Sequence, residues 1–324
     1  MHPVNRNLHE AVGRLRARGT LTDAQAAYFG RIARGELVSV RLELQTALWL
    51  GVTLIAGGAG VLVKENLARL GPLTIGAGIG LAAALCLWRV ARSSPPFSWG
   101  VVEAPTLAFD YLLLLGVLLL GIDLAYLETQ LKLLGPSWPW HLLLLALVQL
   151  AFAFRYDSRA VLSLALASFA AWRGVAITFA GGVLGGRGEA AIRFNALAVG
   201  ALFFVAGSLL ARAGRKAHFE PAFGNLGLLL LLGAAVSGAF EDRGGLEPLW
   251  LIVLALTAGA TIVLAFRARR SDYFAQGVIA AFLGFLRLAF ELHFEVGIFY
   301  LISAGSFGVL FLILWAHRRF KEEA

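Results

Sequence analysis

Residues 155–174 read RYDSRAVLSLALASFAAWRG, and their reading decides the fold. A basic turn leads from Arg155 to Arg159 into an apolar run, and a full positive charge then stands at Arg173. At about 1.5 Å rise per residue, the 14 residues from Arg159 to Arg173 carry the guanidinium about 21 Å into a hydrocarbon layer about 30 Å thick. The helix has no room to end earlier, because Ala160 to Trp172 is too short to span and Gly174 to Ala180 continues apolar. An arginine at that depth costs from about 3 kcal/mol upward, so it should face protein or a wet cavity and find a partner.

Working outward, the same alternation of basic turn and apolar run fills the chain. Its 324 residues are 59% hydrophobic, with a mean hydropathy of +0.77, which defines a polytopic helical membrane protein and excludes a soluble one. The fold expected is an all-α bundle of about ten spans. They cover residues 44–63, 71–91, 108–127, 139–154, 160–180, 194–211, 222–240, 248–266, 273–290 and 298–316. Residues 1–43 form a small basic helical hairpin ahead of the bundle (44–317), and 318–324 a short charged tail. In the hairpin, Leu8, Val12 and Leu15 begin an amphipathic run that Gly19 can stop, and Thr22 and Gln25 have capping-box spacing for a second helix. With the N-terminus inside, 20 of the 28 Lys/Arg fall on the cytoplasmic side and six opposite; the other two are Arg173 and Arg287. That bias places both termini in the cytoplasm of a cell that holds the chain in its inner (plasma) membrane. Because about 43 mostly polar residues precede the first apolar run, no cleavable signal peptide is expected there, and the first span is expected to act as an uncleaved anchor.

Two further charges lie at the depth of Arg173. Asp123 follows Ala108 by 15 residues, about 22 Å, and Arg287 follows Tyr273 by 14, about 21 Å. Asp123, Arg173 and Arg287 are therefore expected to form one constellation, with Asp123 pairing with an arginine. Two arginines sharing one or two carboxylates would leave positive charge for an anion such as a phosphate or carboxylate headgroup. Glu291 and Glu295 follow Arg287 at successive i, i+4 steps, so an intrahelical salt bridge to Glu291 competes with a ligand role; His293 and Glu295 are candidates for acid–base work at the rim. Asp110, Asp157 and Asp272 each stand at the start of an expected span, where an aspartate can cap free amides.

Other signals concern packing. Small-xxx-small pairs at Ala56/Gly60, Gly76/Gly80, Gly233/Ser237 and Ala304/Gly308 mark expected close helix contacts, Trp138, Trp140 and Trp250 expected interfacial anchors, and Gln149, Asn195 and Asn225 interhelical hydrogen bonds. The loop GGVLGGRGE lacks a phosphate-loop ending, the six histidines have no metal-ligand spacing, and no GxSxG is present, so neither a metal nor a cofactor is expected. A lone cysteine, Cys86, excludes an intramolecular disulfide. The sequence pI of 10.1 reflects loops facing anionic lipid headgroups rather than nucleic acid.

The segments LHEAVGRLRARGTLTDAQAAYFGRIARGEL, FDYLLLLGVLLLGIDLAYLE and RYDSRAVLSLALASFAAWRG together resemble the uncharacterised bacterial membrane proteins of domain of unknown function 2157. The likeness covers the first half of the chain by motif and the rest by hydropathy. It implies the architecture and assigns no catalytic residue. Three function classes stand open: a transporter or lipid-handling protein using Asp123, Arg173, Arg287 and Glu291; an assembly or sensory protein docking a cytoplasmic partner through residues 1–43; and a membrane enzyme acting on a lipid-linked substrate through Glu291, His293 or Glu295.

Overall fold

The computed structural model describes residue 15 and residues 22–33, 41–132, 134–180, 187–241, 245, 247–291 and 298–322. Among them are eleven α-helices and no strand. In chain order they are α1 (Asp23–Ala33), α2 (Arg41–Leu70), α3 (Pro72–Ser93), α4 (Leu107–Leu131), α5 (Trp140–Tyr156), α6 (Arg159–Ala180), α7 (Arg187–Arg212), α8 (Glu220–Glu241), α9 (Glu247–Ala268), α10 (Ser271–Glu291) and α11 (Ile298–Glu322). Each of the ten expected spans coincides with one helix, α2 to α11. Seven of these (α3, α4, and α7 to α11) are long and apolar enough to cross a membrane by length and composition, whereas α5 is a shorter apolar helix.

Two compact units divide the chain, residues 1–58 and 59–324. In the first, α1 begins as its sequence requires: Gln25 N–H donates to Thr22 Oγ1 at 3.3 Å and Thr22 N–H donates to Gln25 Oε1 at 3.0 Å, a reciprocal capping box. The preceding amphipathic run, Leu15 excepted, lies outside the described residues.

In the second unit, consecutive helices pack as neighbours: α3 on α4, α5 on α6, α7 on α8, α8 on α9, α9 on α10, and α10 on both α8 and α11. Large apolar side chains are exposed on the outside of the helices as well as buried between them. Phe307, Phe311 and Leu256 are about 70% exposed (74%, 69% and 67%), while Lys216 is fully buried. Lipid solvates such apolar faces, so helices associate here through close packing rather than through expulsion of water. The α7–α8 crossing shows how close: a Cβ added at Gly200 would lie 2.7 Å from the carbonyl oxygen of Gly227, and one at Gly227 2.8 Å from that of Gly200.

Some expected contacts fall elsewhere. Gly233 and Gly308 have nothing within 4 Å of an added Cβ; the contact in α11 comes instead from Gly305, against Phe282. Trp250 is no interfacial anchor. It is 4% exposed and lies on Gly238, within a core of Leu232, Ala235, Ala239, Leu254, Ala258 and Ala280. Trp140 remains exposed, as an anchor would.

Candidate functional site

The structure separates the expected constellation. Asp123, on α4, is buried against α3, where added Cβ atoms at Gly76 and Gly80 would stand 3.4 Å from Oδ1 and 2.9 Å from Oδ2. Its Oδ1 has no hydrogen-bond partner, and neither arginine pairs with it. The reason is rotational: the face of α4 that carries Asp123 is turned to α3, whereas Arg173 and Arg287 project from α6 and α10 toward α7 and α8.

There they join a row at one end of the bundle. Arg173 Nε donates to Asn195 Oδ1 of α7 at 3.0 Å, with its guanidinium 5.5 Å from the ring of Trp172. Arg193 of α7, 5% exposed, donates through Nε to Ser237 Oγ of α8 at 3.2 Å. Arg287 Nε donates to the carbonyl of Ala239 at 2.9 Å, in the last turn of α8, where carbonyls lack helical partners and the dipole favours a cation. Arg287 also makes the expected i, i+4 ion pair, Nη2 to Glu291 Oε1 at 3.0 Å; Glu291 is 48% exposed, so the pair is screened and of small energetic weight. His293 and Glu295 lie outside the described residues. Arg193 stands one residue ahead of the expected sixth span, among the six basic residues expected on the outer side, so its position in the sequence gives no sign of its burial.

The opposite end carries two dense polar networks. Asp157 does not cap α6; Ser158 Oγ takes that position, 3.5 Å from the N–H of Val161. Asp157 instead closes α5 in the left-handed region (φ 60°), which turns its carboxylate inward. It accepts hydrogen bonds from Lys216 Nζ at 2.9 Å and from Val102 N–H at 2.6 Å, and His218 Nε2 lies 2.6 Å away. Lys216 also donates its backbone N–H to Trp99 O at 2.7 Å and holds its ammonium 5.5 Å from the Phe97 ring and 5.9 Å from the Phe219 ring. Burial would push the Asp157 carboxyl up, but Lys216, the Val102 amide and His218 together hold it below the usual carboxylate range. Arg155, in the same basic turn, donates to Pro95 O at 3.1 Å.

The second network joins α8 to the start of α10. Arg270 spans Glu220 (2.5 Å) and Asp272 (2.5 Å) and lies 3.8 Å from the centre of the Tyr273 ring. Tyr273 OH donates to Glu220 Oε1 at 2.7 Å, reaching across Gly224, where an added Cβ would stand 1.7 Å from the Tyr273 hydroxyl oxygen. Asn225 donates to Asp272 at 2.8 Å and accepts from Gln276 at 2.8 Å, so Asn195 and Asn225 both make the interhelical bonds their positions predict. Gln149 Oε1 is buried without a partner.

Long apolar helices with lipid-compatible faces, and polar groups gathered at their ends, define an integral membrane protein of the multi-pass helical class. No family model, curated protein or solved structure matches the chain.

Proposed function

We propose that the chain is a transporter-like or lipid-handling protein of the inner (plasma) membrane that accommodates an anionic group beside Arg173 and Arg287. In this reading α2 to α11 are ten spans, both termini are cytoplasmic, and the arginine row lies in the outer half of the bundle. The architecture is the one implied by the resemblance to the uncharacterised membrane proteins of domain of unknown function 2157. One observation carries the functional part: the Nε groups of Arg173 and Arg287 rest on neutral acceptors, Asn195 Oδ1 and a backbone carbonyl, rather than on Asp123. A neutral acceptor orients a guanidinium without cancelling its charge, and a guanidinium fork matches phosphate and carboxylate oxygens. Glu291, largely in the open, can exchange its place on Arg287 with an incoming anion.

The test is lipid dependence of thermal stability in nanodiscs, phosphatidylglycerol against phosphatidylcholine. The wild type is expected to be stabilised by the anionic lipid. Arg173→Gln and Arg287→Gln should each weaken that preference about tenfold, or about 1.4 kcal/mol, the order of one charge-assisted hydrogen bond. Equal stability in the two lipids, or variants that keep the full preference, would sink the anion site.

A further inference from the structure

We propose that Asp123 is a proton-binding site: the folded bundle holds its side chain as a neutral carboxylic acid against α3, beside Gly76 and Gly80. Asp123 is 9% exposed, and its Oδ1 has no hydrogen-bond partner. Gly80 lies closest to the carboxyl, since a Cβ added there would stand 2.9 Å from Oδ2; one added at Gly76, a helical turn away, would meet the Leu127 side chain at 2.6 Å and Oδ1 at 3.4 Å. Among the described residues, an ionised carboxylate in that place has neither the donors nor the counter-charge that make burial of an anion tolerable, whereas the neutral acid needs neither.

Among the described residues, the titratable and charged groups on the helices packed against α4 are as follows. On α3 the titratable and charged residues are Cys86, Arg89 and Arg92; Arg89 lies nine residues beyond Gly80, about 14 Å along the axis. On α4 itself, Tyr126 OH is buried without a partner, Glu128 is bound to the N–H of Leu134, and Asp110 and Tyr111 stand more than three turns away. On α5, His141 is bonded to Trp138 O, Arg155 to Pro95 O, and Tyr156 ends the helix. On α6, Arg159 begins the helix and Arg173 is turned to Asn195. A metal ion would need several oxygen ligands, and the glycine face of α3 offers only carbonyls engaged in the helix, so the occupant is a proton. The inference is independent of the anion site, in which Asp123 takes no part.

Infrared difference spectra between the wild type and Asp123→Asn in nanodiscs test it directly. The amide is a neutral isostere of the acid, so the variant should elute and melt as the wild type does. Expected at neutral pH is a carbonyl stretch of a protonated carboxylic acid, present in the wild type, absent from the variant, and replaced by a carboxylate band in alkali. A carboxylate band at neutral pH would overturn the proposal. Labelling with a hydrophobic carbodiimide supplies a second readout. The acid proton passes to one carbodiimide nitrogen as the carboxyl oxygen bonds to the central carbon, and acyl migration to nitrogen leaves a stable N-acylurea. Asp123 should be modified at least about tenfold more than the ion-paired Asp157, with labelling falling about tenfold per pH unit once the acid ionises. Protection by sodium ions at constant pH would assign the site to a metal cation instead.

Discussion

Lys216 is the residue on which the described end of the bundle turns. Its ammonium and the carboxylate of Asp157 are both shielded, with side chains 0% and 2% exposed, so each is the condition for the other's burial. Lys216→Met keeps the stem but strands the carboxylate, and should cost about 3–5 kcal/mol, read as a lower thermal midpoint in detergent. The Asp157 carboxyl is held below its ordinary value, so its contribution is complete above the unfolded carboxylate range, near pH 4, and disappears as pH falls through the lower folded value. The wild type should therefore lose stability steeply in acid and Asp157→Asn much less so; parallel pH profiles for the two would count against the pair. Nothing local in the sequence distinguishes Lys216 from Arg212 and Arg215. Counting basic residues assigns a side of the membrane, but a charge's partner depends on the turn conformations that present it, here the left-handed φ at Asp157 (60°) and at Lys216 (47°).

At the level of helices, periodicity and hydropathy placed every long apolar element, and the capping box at Thr22 and the Arg287–Glu291 step were legible because both are local. Contacts between helices were not. Gly233/Ser237 and Gly200/Gly227 look alike as small residues in apolar runs, yet only the second pair lies where two backbones cross. Gly200→Ala pushes a methyl into the carbonyl of Gly227 and should destabilise the α7–α8 pair by about 1–3 kcal/mol. Gly233→Ala, with open space at its Cβ, should be neutral or slightly stabilising. Thermal unfolding of the two variants side by side checks the assignment; equal losses would mean that the crossing does not limit packing. The same blindness to rotation about the helix axis made Asp123 look like a partner for Arg173: computed depth matched, but facing did not.

Across the whole molecule, exposed apolar faces and buried polar ends fit a bundle dissolved in lipid, and the proposed topology makes a specific claim about its loops. In a Cys86→Ala background, Ser137→Cys, between α4 and α5, should react with a membrane-impermeant maleimide on intact cells. Ser98→Cys, between α3 and α4, should react only after lysis. The reverse pattern would invert the orientation, and reaction of both on intact cells would deny that α4 crosses. The Asp157 network also fastens three connections to one another: the segment between α3 and α4 through Val102 and Trp99, the α5–α6 turn through Asp157, and the α7–α8 turn through Lys216 and His218. Staves tied most densely at one rim part more readily at the other, where single bonds such as Arg173 to Asn195 join neighbouring helices. Any breathing of these helices therefore has its pivot at Lys216 and its widest travel beside Arg173.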